Sequence, residues 1–98
     1  MEIKELREQQ KLTLFLDGRL DLSSAPQLDT IIKTSLTDVQ ELVLDFENLA
    51  YISSAGLRVL LAAQKIMKSQ GRMTVRNVNE TVREVFDITG FCDILSIE

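Results

Sequence analysis

The chain contains no histidine and a single cysteine, Cys92. Every histidine-based triad, cysteine–histidine pair and histidine-containing metal site is thereby excluded, and one thiol can form neither an internal disulfide nor a multi-thiolate zinc site. Tryptophan is also absent and aromatic residues make up only 5% of the chain, so the scattered basic residues have few aromatic neighbours with which to grip nucleic acid. Acidic residues outnumber basic ones by 15 to 11, which argues further against a nucleic-acid partner. Long apolar runs are missing: the longest, Val59 to Ala63, is far too short to span a bilayer. The amino terminus, Met1-Glu2-Ile3-Lys4-Glu5, has neither the basic start nor the apolar run of a signal peptide. A cytoplasmic location without direct membrane insertion is therefore expected. Neither the P-loop nor the GxGxxG fingerprint occurs, so the common phosphate-cradling loops are lacking as well.

What is present suffices for one core. Ninety-eight residues with 45% hydrophobic content suit a single domain, residues 1–98, built from one layer of sheet and one of helices. Residues 3–7 and 11–16 suggest an antiparallel hairpin, the second strand alternating Leu12, Leu14 and Leu16 with Lys11, Thr13 and Phe15. Asp17-Gly18-Arg19-Leu20-Asp21 has the composition of a turn. Ser23 or Ser24 can cap a helix over residues 25–37, with Pro26 in its first turn and Leu28, Ile31, Ile32, Leu36 and Val39 toward the sheet. Leu42 to Phe46 is a central-strand run, followed by the connection Glu47-Asn48-Leu49-Ala50.

The longest helical pattern follows Ser53 and Ser54 and runs to Gln70, with Gly71 as its stop. Arg72–Arg76 alternates as a strand. A helix from near Asn79 to Gly90 buries Val82, Val85, Phe86 and Ile88, and residues 94–97 add a last short strand. Strands separated by helices imply parallel neighbours joined by right-handed crossovers. The expected fold class is thus α/β: a single mixed sheet of about four to five strands, mostly parallel with an N-terminal antiparallel hairpin, backed by three to four helices.

Chemistry concentrates at the junction Tyr51-Ile52-Ser53-Ser54-Ala55-Gly56-Leu57-Arg58, where strand gives way to helix. A serine there can cap the helix by accepting a hydrogen bond from a first-turn N–H, and the positive end of the helix dipole tolerates a phosphate on it. Ser53 and Ser54 are equivalent candidates on this ground. Asp17, Asp21, Asp45 and Glu47 are read as solvated or capping carboxylates, Arg58 as a solvated helix residue, and no cofactor, metal or catalytic group is expected.

The segment Tyr51 to Leu57 resembles the hydrophobic-x-Asp-Ser-Ser/Thr-Gly-Leu motif of bacterial anti-sigma factor antagonists, the stand-alone STAS domains. Gly18-Arg19-Leu20-Asp21 with Ala25-Pro26 is similar to that family's Gly-Glu-Leu/Ile-Asp turn and helix start, Leu42–Phe46 to the strand before the motif, and Phe86-Asp87-Ile88-Thr89-Gly90-Phe91 to its Phe-Asp-x-Ser/Thr-Gly-Leu segment. Ser53 replaces the family's aspartate, Ala55 its second hydroxyl residue and Arg19 the glutamate of the turn. The resemblance implies a non-enzymatic switch. Unphosphorylated protein would bind an anti-sigma factor that is also a serine kinase and free the sigma factor; phosphorylation of Ser54 would end this, and a serine phosphatase would reset it. Gly18, Asp21, Ser23, Ser53, Ser54, Ala55, Gly56, Leu57 and Arg58 would form the docking surface. A constitutive, never phosphorylated STAS scaffold is the alternative, and a nucleotide- or small-molecule-binding domain a third reading.

Overall fold

The computed structural model describes residues Met1–Glu98. Its elements are β1 (Glu2–Glu8), β2 (Lys11–Leu20), α1 (Ala25–Ser35), β3 (Glu41–Ile52), α2 (Ser54–Gln70), β4 (Arg72–Arg76), α3 (Glu80–Thr89), a 3-10 turn (Phe91–Asp93) and β5 (Ser96–Ile97). The five strands form one sheet in the order β1-β2-β3-β4-β5. β1 runs antiparallel to β2, and all other neighbours are parallel. The mixed sheet with its leading hairpin is as expected from the sequence. Right-handed crossovers that step in one direction across a sheet place all their helices on one face. Leu12, Leu14, Leu16, Leu42, Leu44, Phe46, Met73 and Val75, all buried, alternate toward that face. There they meet Leu28 and Ile32 of α1, Leu60, Ala63 and Met67 of α2, and Val82 and Phe86 of α3 in one core.

Two local expectations change. Residues 17–20 and 47–52 are strand: β2 and β3 continue side by side past Asp17, through register shifts between Phe15 and Asp17 and between Gly18 and Arg19. A bulge lets a strand carry turn-like residues without ending; Gly18, at φ 116°, takes a conformation suited to glycine. Ile88 does not join the core but is 85% exposed, because α3 turns only the Val82–Phe86 side inward. Gly71 does terminate α2, but its φ of 176° is ordinary extended backbone. Glycine is needed there because a Cβ would overlap the carbonyl of Gln40.

On the opposite face of β3, Asp45 is buried with its side chain 5% exposed. It accepts hydrogen bonds from Arg76 Nε at 3.0 Å, Asn77 Nδ2 at 3.1 Å and the Glu47 N–H at 3.0 Å. Burial pushes this carboxyl up, but the Glu47, Asn77 and Arg76 donors together outweigh it and hold Asp45 below the usual carboxylate range. Its stabilisation is therefore present above the unfolded-state value and lost as pH falls through the lower folded-state value. Asp45→Asn is expected to cost about 1.5–3 kcal/mol at neutral pH, the worth of hydrogen bonds to a charged group. Urea unfolding of both proteins should show that gap narrowing as the pH is taken into the acid range; a gap independent of pH would assign Asp45 a purely steric role.

Candidate functional site

The site is assembled where the C-terminal ends of β2 and β3 hand over to helices. Leu20 pairs with Ile52, and the Ser53 N–H donates to the Leu20 carbonyl at 2.9 Å, so the turn after β2 and the start of α2 are held side by side. Gly56 makes this approach possible. A Cβ on it would stand 2.7 Å from Leu20 Cγ and 2.8 Å from Ile52 Cγ1, both on fully buried residues.

Ser53 occupies the N-cap position of α2, and its carbonyl accepts the first helical bond from the Leu57 N–H at 3.0 Å. Its hydroxyl, however, makes no cap: Ser53 Oγ is buried without a hydrogen-bond partner. Ser54 is the first residue of the helix and is exposed, so its side chain does not cap either. The first-turn N–H groups consequently lack a side-chain acceptor and keep the electropositive character of a helix start. Leu57 is buried, Ala55 half-buried and Arg58, one turn after Ser54, exposed.

The neighbouring turn is tied together by hydrogen bonds. Asp21 Oδ1 accepts from the Ser23 hydroxyl at 2.7 Å and from the Ser23 and Ser24 N–H groups at 3.1 and 3.3 Å. The Ser23 hydroxyl foremost, with the backbone donors, outweighs burial and holds the Asp21 carboxyl below its ordinary range. Ser24, at the N-cap of α1, does not cap with its side chain; Ser24 Oγ donates to the Arg19 carbonyl at 2.6 Å and accepts from the Asp21 N–H at 2.9 Å. The Arg19 guanidinium lies 4.7 Å from the Tyr51 ring centre, a cation–π contact across the two strands. Gly18 stands further back, paired with Leu49 and packed against Met1.

Sequence reasoning missed the groove beside the motif. Leu22, Ala25, Pro26 and Asp29 from the α1 side face Ala55, Arg58 and Val59 of α2 across an open hollow of about 240 Å³. Leu22 is 80% exposed at its mouth. The available signal was an apolar residue standing inside the polar run Asp21-Leu22-Ser23-Ser24. A hollow of similar size near Gln10, Asp38 and Gln70 has a single apolar lining residue, and none of the motif residues lines it.

No group of three or more Asp, Glu or Cys side chains converges as a metal ion would require. Burial, followed by a hydrogen bond with Asp87 and the charge of Asp93, pushes the Cys92 thiol up, so it is not held as a reactive thiolate. No helix is long and apolar enough to cross a membrane.

The profile of the STAS domain matches residues 3–98. The chain belongs to the STAS domain family. Among its relatives, BtrV of Bordetella bronchiseptica is 38% identical over 84 residues, covering 84% of this chain and 72% of BtrV. The anti-sigma-B factor antagonist of Bacillus subtilis is 32% identical over 81 residues, covering 82% of this chain and 74% of that protein. In three dimensions this STAS domain resembles SpoIIAA, an anti-sigma factor antagonist, in its unphosphorylated form: the TM-score is 0.78 at 21% identity, over 99% of this chain and 87% of that one. The phosphorylated form of Bacillus SpoIIAA gives 0.77 at 22% identity, over 99% and 91%.

Proposed function

We propose that this STAS domain is an anti-sigma factor antagonist that acts by partner switching in the cytoplasm. Its Ser54 face docks on an anti-sigma factor carrying serine kinase activity and thereby frees the sigma factor. Phosphorylation of Ser54 by that kinase ends the interaction, and a serine phosphatase restores it. The observation that carries this reading is the exposed Ser54 at the first position of α2, beside a groove with Leu22 standing open to solvent. The names of the Bacillus subtilis relative and of SpoIIAA support the same assignment.

The switch follows from electrostatics. A phosphoserine carries roughly −1.5 to −2 charges at neutral pH, and at a helix N-terminus that charge is locally favourable by about 0.3–1 kcal/mol. The domain itself should therefore stay folded; the near-equal likeness of this chain to both forms of SpoIIAA accords with that. At a docked surface the same charge must be desolvated or faces partner carboxylates, and each ~1.4 kcal/mol so incurred weakens binding about tenfold. Leu22, Ala55 and Val59 supply the apolar contact from which water has to leave.

Intact-mass measurement after incubation with ATP and the cognate kinase tests the reading. The wild type is expected to gain one phosphate and Ser54→Ala none, and the modified protein should bind the partner at least about tenfold more weakly, a ~1.4 kcal/mol effect. A second reading, a constitutive docking scaffold, draws on Ser53, which puts an unpartnered hydroxyl where the family has an acidic residue. No mass gain with an active kinase that binds the protein would decide for the scaffold.

A further inference from the structure

β1 is an edge strand. Its seven residues, Glu2 to Glu8, pair with β2 on one side only, so every second residue directs its N–H and C=O toward solvent. Such an edge invites another strand unless its side chains forbid it. Five of the seven residues are charged, which excludes most partners by repulsion or desolvation. Yet Leu6, at 48% exposure, sits among them as an unshielded apolar side chain on the sheet face away from the helices.

The order of the charges leaves two pairings, and the longer of them covers Leu6. Two copies of an antiparallel edge are related by a two-fold axis perpendicular to the sheet, which keeps each side chain on its own face, so the axis must lie midway between the two copies of one residue. Centred on Glu2, Lys4, Glu5, Arg7 or Glu8, the register sets that residue opposite its own like-charged copy; centred on Ile3, it opposes Glu2 to Lys4 but pairs only residues 2–4 of the strand and leaves Leu6 uncovered. Centred on Leu6, it sets Leu6 against Leu6, Glu5 against Arg7 and Lys4 against Glu8, and each charged pair occurs twice by symmetry. Opposite charges and apolar pairs directly across strands stabilise a sheet, and like charges destabilise it.

We infer that β1 is a homodimerisation edge, joining two copies through residues 4–8 in the register centred on Leu6 to give a continuous ten-stranded sheet, five strands from each copy. The geometry leaves the Ser54 face free. Residues 4–8 pair with 11–15 of β2, whereas the motif adjoins Leu20 at the other end of that strand. The occupant is a second copy because the charge order of β1 complements itself. Leu6 would then be covered on the helix-free face, with Lys4 and Glu8 of opposite copies flanking it.

Sedimentation equilibrium of the full chain from about 1 μM to about 1 mM should show a reversible monomer–dimer equilibrium. Lys4→Glu, which sets two acidic side chains against each other at each of two pairs, is expected to weaken it tenfold or more. Adding Glu8→Lys to that variant should restore it, since the pair is reversed rather than lost. Leu6→Lys should leave only monomer. All three positions are exposed, and circular dichroism with urea unfolding will verify that the folded monomer is retained. A protein that stays monomeric up to the top of the range overturns the inference, as does a dimer indifferent to the Lys4 and Leu6 substitutions or one that the double swap fails to rescue.

Discussion

Replacing Phe46 by alanine is expected to remove about 3–5 kcal/mol of stability, the cost of deleting a buried aromatic side chain and leaving part of its volume unfilled. Phe46 is fully buried on the helix-facing side of β3, and its ring lies 6.4 Å from that of Phe86 in α3 at a tilt of 39°. This contact belongs to the core that fastens the last third of the chain onto the central strand. Domains of this size typically retain only ~5–15 kcal/mol in total, so the variant should stand close to its unfolding threshold at 37 °C. Urea titrations of wild type, Phe46→Ala and Phe46→Leu would measure it. The alanine midpoint should fall far more than the leucine one, with the slope unchanged if the transition remains two-state. A loss under ~1 kcal/mol for alanine would mean that the Phe46–Phe86 packing is not what holds α3 in place.

The second large effect is expected at Gly56, where the motif packs rather than where it reacts. Gly56→Val would drive branched carbon atoms into Leu20 and Ile52, both fully buried and already within 3.0 Å of a Cβ at this position. Overpacking of a filled core costs about 1–3 kcal/mol and occasionally more, so Gly56→Ala belongs in that range and Gly56→Val at about 3 kcal/mol or above. Helix propensity acts against this by about 1 kcal/mol, since glycine is the poorer helix former, and the contact term wins. Thermal and urea unfolding would give the stability series. Affinity for the anti-sigma factor proposed above as partner would supply a separate readout, because lifting the first turn of α2 moves Ser54 away from the Asp21–Ser24 turn. An alanine variant more stable than wild type would refute the close approach.

How far these features could be read from sequence depends on the range of the interaction behind each. The hairpin, the three helices and the central strand follow from local periodicity, and their places were legible. The ends of β2 and β3 were not. Asp17-Gly18 and Glu47-Asn48 carry turn chemistry, and only the parallel neighbour across the bulge keeps them in the sheet. Asp45 was taken for a solvated or capping carboxylate because its partners, Arg76 and Asn77, lie 31 and 32 residues further on.

The serines at the helix starts illustrate the same limit. Ser24 stands at an N-cap but is recruited to the Arg19 carbonyl, and Ser53 stands at another with its hydroxyl turned away from the backbone donors. Position was predictable; rotamer was not. The groove beside Ser54 joins residues from two helices, and only Leu22, apolar in a polar turn, hinted at it. Glycine at 71 was anticipated as a helix stop, while its physical cause, contact with the Gln40 carbonyl, is tertiary.

The order of strands across the sheet is also their order along the chain. A polypeptide emerging from the ribosome can therefore add each strand beside the one just completed, and no later segment has to pry open a pair already formed. The hairpin offers a first template, and β3 docks on it as soon as α1 has been made. By the time α2 emerges, the strand ends that position Ser54 are paired, while Phe46 still waits for α3 to cover it. A released chain ending at Arg76 would thus carry the Ser54 segment on a domain whose central strand remains partly uncovered. Residues 77–98 supply cover for that strand and none of the lining of the groove beside Ser54.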